Sequence, residues 1–309
     1  MSFLSDQQLF ERSDAVFEPS VADFWSLLKP RVMSLVTFTG FAGMYLAPGE
    51  LHPLVFIVSL FAIAAGAGAS GAINQWYDRD IDALMTRTKM RPIPAGVMAP
   101  AEALTMGLVM SAMAVLLLGL AANWLAAGLL AFTIFFYAVV YTVWLKRNTP
   151  HNIVIGGAAG ALPPVIGWTS ITGSLSLEPL LLFFIIFMWT PPHFWALALV
   201  KNDDYTRANI PMLPVVAGAL ETRRQIVIYA VFLAPLAIIP SFIGMASIGY
   251  GVLASFAGAL FVGLSLQLYK TGDYKHAMHL FAYSIIYLFL LFLGLIIDHA
   301  AASSLTGGG

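Results

Sequence analysis

Residues 54–82 read LVFIVSLFAIAAGAGASGAI followed by NQWYDRDID. The first twenty are apolar or small, the length at which a helix crosses a hydrocarbon core. Directly beyond them three carboxylates and an arginine fall within five positions, 78–82. Polar side chains at the bilayer end of a helix are costly and usually face a cavity where they serve a function. The stretch therefore predicts both a membrane fold and a site at its edge.

Composition extends that reading to the whole chain. Of 309 residues, 60% are hydrophobic and 10% charged, against about 25% charged in an ordinary soluble domain. The chain reads as a polytopic, all-α membrane protein. With 15 Lys+Arg against 16 Asp+Glu, no imbalance points to nucleic acid as a partner. The absence of cysteine excludes disulfides, thiolate metal sites and cysteine nucleophiles.

Nine segments have spanning character: 31–47, 54–76, 101–122, 124–145, 152–173, 177–200, 225–245, 247–269 and 277–297. Residues 1–30 mix acids with scattered apolar residues, unlike a signal peptide or an Arg-rich transit peptide, and read as a cytoplasmic lead-in. Residues 31–298 form a single transmembrane domain, and 299–309 a short external tail. Alternate loops hold all the basic residues, from Arg12, Lys29 and Arg31 through Lys146 and Arg147 to Lys270 and Lys275, whereas APGELHP and SLSLEP hold none. Basic residues stay in cytoplasmic loops, so the N-terminus is expected inside and the C-terminus outside.

NQWYDRDID thus lies at the cytoplasmic end of the second span. Positions four apart on a helix differ by only about 40°, so Asn74, Asp78 and Asp82 form one stripe while Asp80 points elsewhere. Two carboxylates and an amide oxygen suit Mg²⁺, a hard cation that shares its shell with substrate phosphates. Arg87, Lys89 and Arg91, in the following MTRTKMRP, offer positive donors to those phosphates. The plain alternative is a solvated helix end. The repeat at helical spacing, the amide one turn deeper and the basic cluster favour a metal-bridged diphosphate grip.

A second polar cluster, KNDDYTRANIPMLP, follows the sixth span. Four helices separate the two clusters, which suggests two four-helix halves in parallel repeat, a ninth helix appended, and a site where the halves meet. Asp203 and Arg207 share a helical face; Asp204 is a candidate ligand for a second metal, and Arg207 or Lys201 for the leaving phosphate. An ordinary i,i+4 ion pair is the competing explanation.

NQWYDRDIDALMTRTKMRP, with its Asn-x-x-x-Asp-x-x-x-Asp core, and DDYTRANIPMLP together resemble the intramembrane aromatic prenyltransferase superfamily, and within it the haem-modifying branch. The likeness covers essentially the whole chain. Members acting on hydroxybenzoate or quinone precursors carry a second Asp-x-x-x-Asp after helix six; here Arg207 follows Asp203 by four and Ala208 follows Asp204. The resemblance implies Mg²⁺ as cofactor, transfer of a farnesyl group from farnesyl diphosphate to a vinyl group of protohaem IX, residence in the bacterial inner membrane, and a haem A synthase downstream. Tyr137, Tyr141 and Tyr205 would offer aromatic faces to an allylic cation, while Trp144 reads as interfacial belt.

Histidine is the usual haem ligand, and His193 in MWTPPHFWAL lies within the sixth span. It either touches haem or bonds a carbonyl freed by a kink at Pro191 and Pro192. Pro163 and Pro164 should break the fifth span similarly, so that two broken helices shape a flat pocket. His151 at the surface contacts a haem propionate or nothing. Small residues in AIAAGAGASGA and IGGAAGA are expected to let helices two and five approach closely. A different class also fits the charge pattern, a transporter of an anionic lipid or porphyrin, but that would call for charged groups near the midplane.

Overall fold

The computed structural model describes residues 18–306, all helical or in connections, with no strand among them. Residues 1–17 of the expected lead-in, with Arg12, and residues 307–309 of the expected tail lie outside the described residues. The helices are α1 (Val21–Leu27), α2 (Pro30–Leu46), α3 (Pro53–Tyr77), α4 (Arg79–Leu84), α5 (Pro100–Ala121), α6 (Trp124–Phe135), α7 (Asn152–Ala161), α8 (Pro163–Thr172), α9 (Leu177–Val200), α10 (Asn202–Arg207), α11 (Leu213–Leu236), α12 (Ile239–Phe242), α13 (Ile248–Thr271) and α14 (Tyr274–Thr306). α6 continues without a break as a π-helix over Phe136–Leu145.

Among the described residues, eight segments are long and apolar enough to cross a membrane. The remaining expected span, the first, is α2, 17 residues bounded by Pro30 and by the extended backbone at Ala47, and at 1.5 Å per residue about 25 Å long. Pro163 does split the fifth span, into α7 and α8. The sixth corrects expectation, because α9 runs uninterrupted through Pro191 and Pro192. The seventh begins at Leu213, twelve positions before the expected 225, and bends at Gly218 (φ 81°). The ninth continues past residue 298 to Thr306.

Two apolar cores build the bundle. One gathers Met44, Ile63, Leu118, Leu130 and Ile166 from the first five spans; the other gathers Leu182, Ile226, Phe261, Tyr287 and Phe292 from the last four, with Ala42, Leu46, Ala161 and Trp168 reaching in from α2, α7 and α8. The last span, α14, packs within this second core. Without a hydrophobic driving force between helices in lipid, small residues decide how closely backbones approach. The tightest approach joins α2 to α8: a Cβ on Gly43 would lie 2.1 Å from the Pro164 carbonyl oxygen, and one on Gly167 would lie 2.2 Å from that of Gly40. The second span, α3, instead uses Gly66 against Leu130 on α6, while Gly107 of α5 receives Ile73.

Candidate active site

α3 stops at Asp78, whose backbone (φ −84°, ψ 4°) leaves the helical region, and α4 restarts at Arg79. The turn keeps the stripe together, since Asp82 N–H still donates to Asp78 O at 2.8 Å. Asn74, Asp78 and Asp82 are all buried, Asp78 completely. Asp80 points away as expected, exposed and gripped by both Nη atoms of Arg147 at 2.7 Å. That pairing holds the Asp80 carboxyl below its ordinary range.

Buried carboxylates require compensating charge and hydrogen bonds, and here cations from three other segments supply them. Lys146 Nζ donates to Asp78 Oδ2, and Asn74 Nδ2 donates to the same oxygen at 2.7 Å. Arg91 Nη1 reaches Asp82 Oδ2 at 2.5 Å. Lys29 Nζ donates to Asn74 Oδ1 at 2.5 Å, so the amide turns its nitrogen, not its oxygen, toward Asp78. Burial first, then repulsion by Arg91 and Lys146, pushes the Lys29 ammonium down to about 7. Asp78 Oδ1 is left without a hydrogen bond, and Arg147 Nη2 stands 3.6 Å from it.

The π-winding after α6 is what brings Lys146 here. Thr142 Oγ1 donates five residues back to Tyr137 O at 2.8 Å and accepts from Asn74 Nδ2 at 3.0 Å. Such winding is rare and concentrates at functional sites. Tyr137 and Tyr141 pack ring to ring with centroids 5.3 Å apart, and Tyr141 occupies the space that Gly156 leaves open, where a Cβ would meet its ring at 2.2 Å. Lys29 lies 5.9 Å from the Tyr137 ring centroid.

The second cluster meets the first. Asp204 Oδ1 accepts the Thr86 N–H at 3.3 Å and a hydrogen bond from Arg207, and Arg207 Nη2 donates to Thr86 Oγ1 at 2.8 Å. Arg207 therefore pairs with Asp204 and not with the expected Asp203, because the six-residue α10 directs both toward the loop after α4. Tyr205 is buried with Ile81, Met85 and Ile153, a small core that binds α10 to α4. Arg87, Lys89, Lys201 and Asp203 are exposed and form no ion pair among the described residues. The His151 side chain is exposed at the start of α7. His193 contacts Ser284, Trp189, Phe194 and Phe281, none of them in the carboxylate cluster.

Lys29, Lys146, Arg147, Thr142 and Thr86 were not marked as site residues by their sequence. The available signal was their position at the same end of the bundle as the acids. Replacing Lys146 by Met is expected to raise the Michaelis constant for the anionic substrate roughly 10- to 100-fold, the worth of one hydrogen bond to a charged group. Steady-state kinetics in detergent checks this.

Below the charged end opens an apolar cleft bounded by Lys29, Met33, Ile63, Leu130, Tyr137 and Ile166 on four spans. A head of charge over an apolar slot of this kind suits a ligand with an anionic end and a hydrocarbon tail, the substrate form of membrane prenyl-transfer enzymes. The chain belongs to the UbiA prenyltransferase family, whose model matches residues 36–296. It is an integral membrane prenyltransferase. The protoheme IX farnesyltransferase of Rhizobium rhizogenes is 57% identical over 302 residues, covering 96% of this chain and 95% of that protein. That of Agrobacterium fabrum is 56% identical, covering 97% and 96%. Among solved structures, a digeranylgeranylglyceryl phosphate synthase is similar with a TM-score of 0.76 at 17% identity, covering 90% of this chain and 98% of that one. A UbiA homologue from Archaeoglobus fulgidus bound to GPP and Mg²⁺ follows with 0.62 at 16%, covering 89% and 99%.

Proposed function

We propose that this chain transfers the farnesyl group of farnesyl diphosphate to a vinyl group of protohaem IX, giving haem O, at a site open to the cytoplasm of a bacterial inner membrane. The observation that carries the chemistry is the buried Asp78–Asp82 pair, ringed by Lys29, Arg91 and Lys146, at the head of the apolar cleft. The likeness to protoheme IX farnesyltransferases over nearly the full chain supports the acceptor.

The donor set fits Mg²⁺. Asp78 Oδ1 is a buried carboxylate oxygen without a hydrogen bond, and no three His, Asp or Glu side chains converge among the described residues. A cation held by Asp78 and Asp82 would complete its shell from diphosphate and water, as Mg²⁺ does. When bound it supplies neutralisation of the leaving diphosphate. Asn74, which faces Asp78 through its nitrogen, orients that carboxylate. Asp204 steadies the loop that carries Arg87 and Lys89.

Arg87, Lys89 and Lys201 neutralise the diphosphate as the C1–O bond breaks and its electron pair leaves on oxygen. The vinyl π pair then forms the new bond to C1, and water captures the resulting cation and loses a proton. Tyr137 and Tyr141 keep bulk water from the allylic cation and face it with their rings. The carboxylate cluster sits at one end of the spans, which favours bond-making at one face over carriage across the membrane. The product would pass to a haem A synthase.

Purified protein incubated with haem and farnesyl diphosphate, with and without Mg²⁺, should yield hydroxyethylfarnesyl haem by mass spectrometry only when the metal is present. Unmodified haem beside a prenylated quinone precursor in a parallel tube would select the quinone-type activity instead.

A further inference from the structure

His193 stands seven residues before the end of α9, about 10 Å along the helix axis from it, in an apolar stretch. Its ring is clamped: Trp189 stacks on it at 4.3 Å and 19°, and Phe281 at 4.6 Å and 23°. Nδ1 lies 2.6 Å from Ser284 Oγ, and that hydroxyl donates to the Phe281 carbonyl at 2.6 Å. A hydroxyl has one proton. With that proton on the Phe281 carbonyl, Ser284 accepts from Nδ1–H, and the neutral imidazole carries its lone pair on Nε2. The carbonyls left free by Pro191 and Pro192 are not its partners.

No hydrogen bond reaches Nε2 among the described residues. Nor is the ring sealed, since His193 is only half-buried and the adjacent Phe194 is 39% exposed. A histidine oriented by a bond from one nitrogen, with the other free to give a lone pair, is arranged as metal-ligating histidines are. An ionisable group inside a span without a structural use for its outer nitrogen points to function. We infer that His193 Nε2 ligates the iron of the acceptor haem at the seam of α9 and α14, with Ser284 as the positioning residue. This rests on the haem acceptor proposed above.

Full-length protein in detergent, titrated with protohaem and in parallel with metal-free protoporphyrin IX, tests the inference. The wild type should shift the haem Soret band to that of a histidine-ligated iron and bind haem more tightly than the metal-free porphyrin. His193→Gly should still bind the metal-free porphyrin but lose the shift, and added imidazole should restore it. Ser284→Ala should keep the shift and weaken haem binding roughly tenfold. Should His193→Gly fail to fold, His193→Gln fills the same space and allows the same comparison. A variant spectrum identical to that of the wild type overturns iron ligation while leaving the haem acceptor standing. Failure of the wild type to bind any porphyrin overturns both.

Discussion

Asp78→Asn should lower farnesyl transfer roughly 10²- to 10³-fold while the protein remains folded in the membrane. The substitution keeps the shape of the side chain and an oxygen for Lys146, and removes the charge that would hold Mg²⁺ against the diphosphate. A loss of that size is typical when one electrostatic stabiliser of a developing charge is removed. Asp82→Asn, which unpairs Arg91, should behave alike. Asp80→Asn is the internal comparison: its carboxylate is exposed and engaged by Arg147, and exposed pairs of this kind contribute about 1 kcal/mol or less. Chromatography of extracted haems reads all three rates. An Asp78→Asn rate within a few-fold of the wild type removes this carboxylate from the chemistry.

Gly43→Val should be the most damaging substitution away from the site. The atoms a Cβ would meet at position 43 are the Pro164 carbonyl oxygen at 2.1 Å and Cα at 2.6 Å, both backbone and unable to rotate aside. α2 and α8 must separate, and at the upper end of the usual overpacking cost the thermal midpoint in detergent should fall by about 5–10 °C. Because Met33 and Val36 of α2 and Pro163 and Ile166 of α8 line the cleft, binding of the prenyl tail should weaken in parallel. Gly160→Ala, with nothing within 4 Å of the new atom, should leave the midpoint unchanged.

The contrast between these two residues marks what the sequence reveals by itself. Hydropathy announces a span wherever twenty residues are apolar, and helical spacing announces Asn74, Asp78 and Asp82, because both signals are local. Lys29, Lys146 and Arg147 pair with partners 45, 68 and 67 positions away, and only the assembled bundle joins them. Gly43 and Gly167 carry no mark separating them from other small residues until a facing backbone is in view. Hydropathy places the start of the seventh span too late, because Glu221, Arg223 and Arg224 lower it over residues 213–224 that are nonetheless helical. Pro191 and Pro192 read as a break, yet α9 continues through them.

Phe136–Leu145 has a corollary for how this enzyme tolerates change. A wide coil of ten residues takes in more chain per turn than the segment before it, so the basic pair beyond depends on a surplus that no single side chain provides. Excising one residue, Val139 or Val140, while the wide winding persists would swing everything downstream by roughly a quarter turn. Lys146 would then be turned from Asp78, which would keep only the Asn74 amide, although every charged group of the pocket remained encoded.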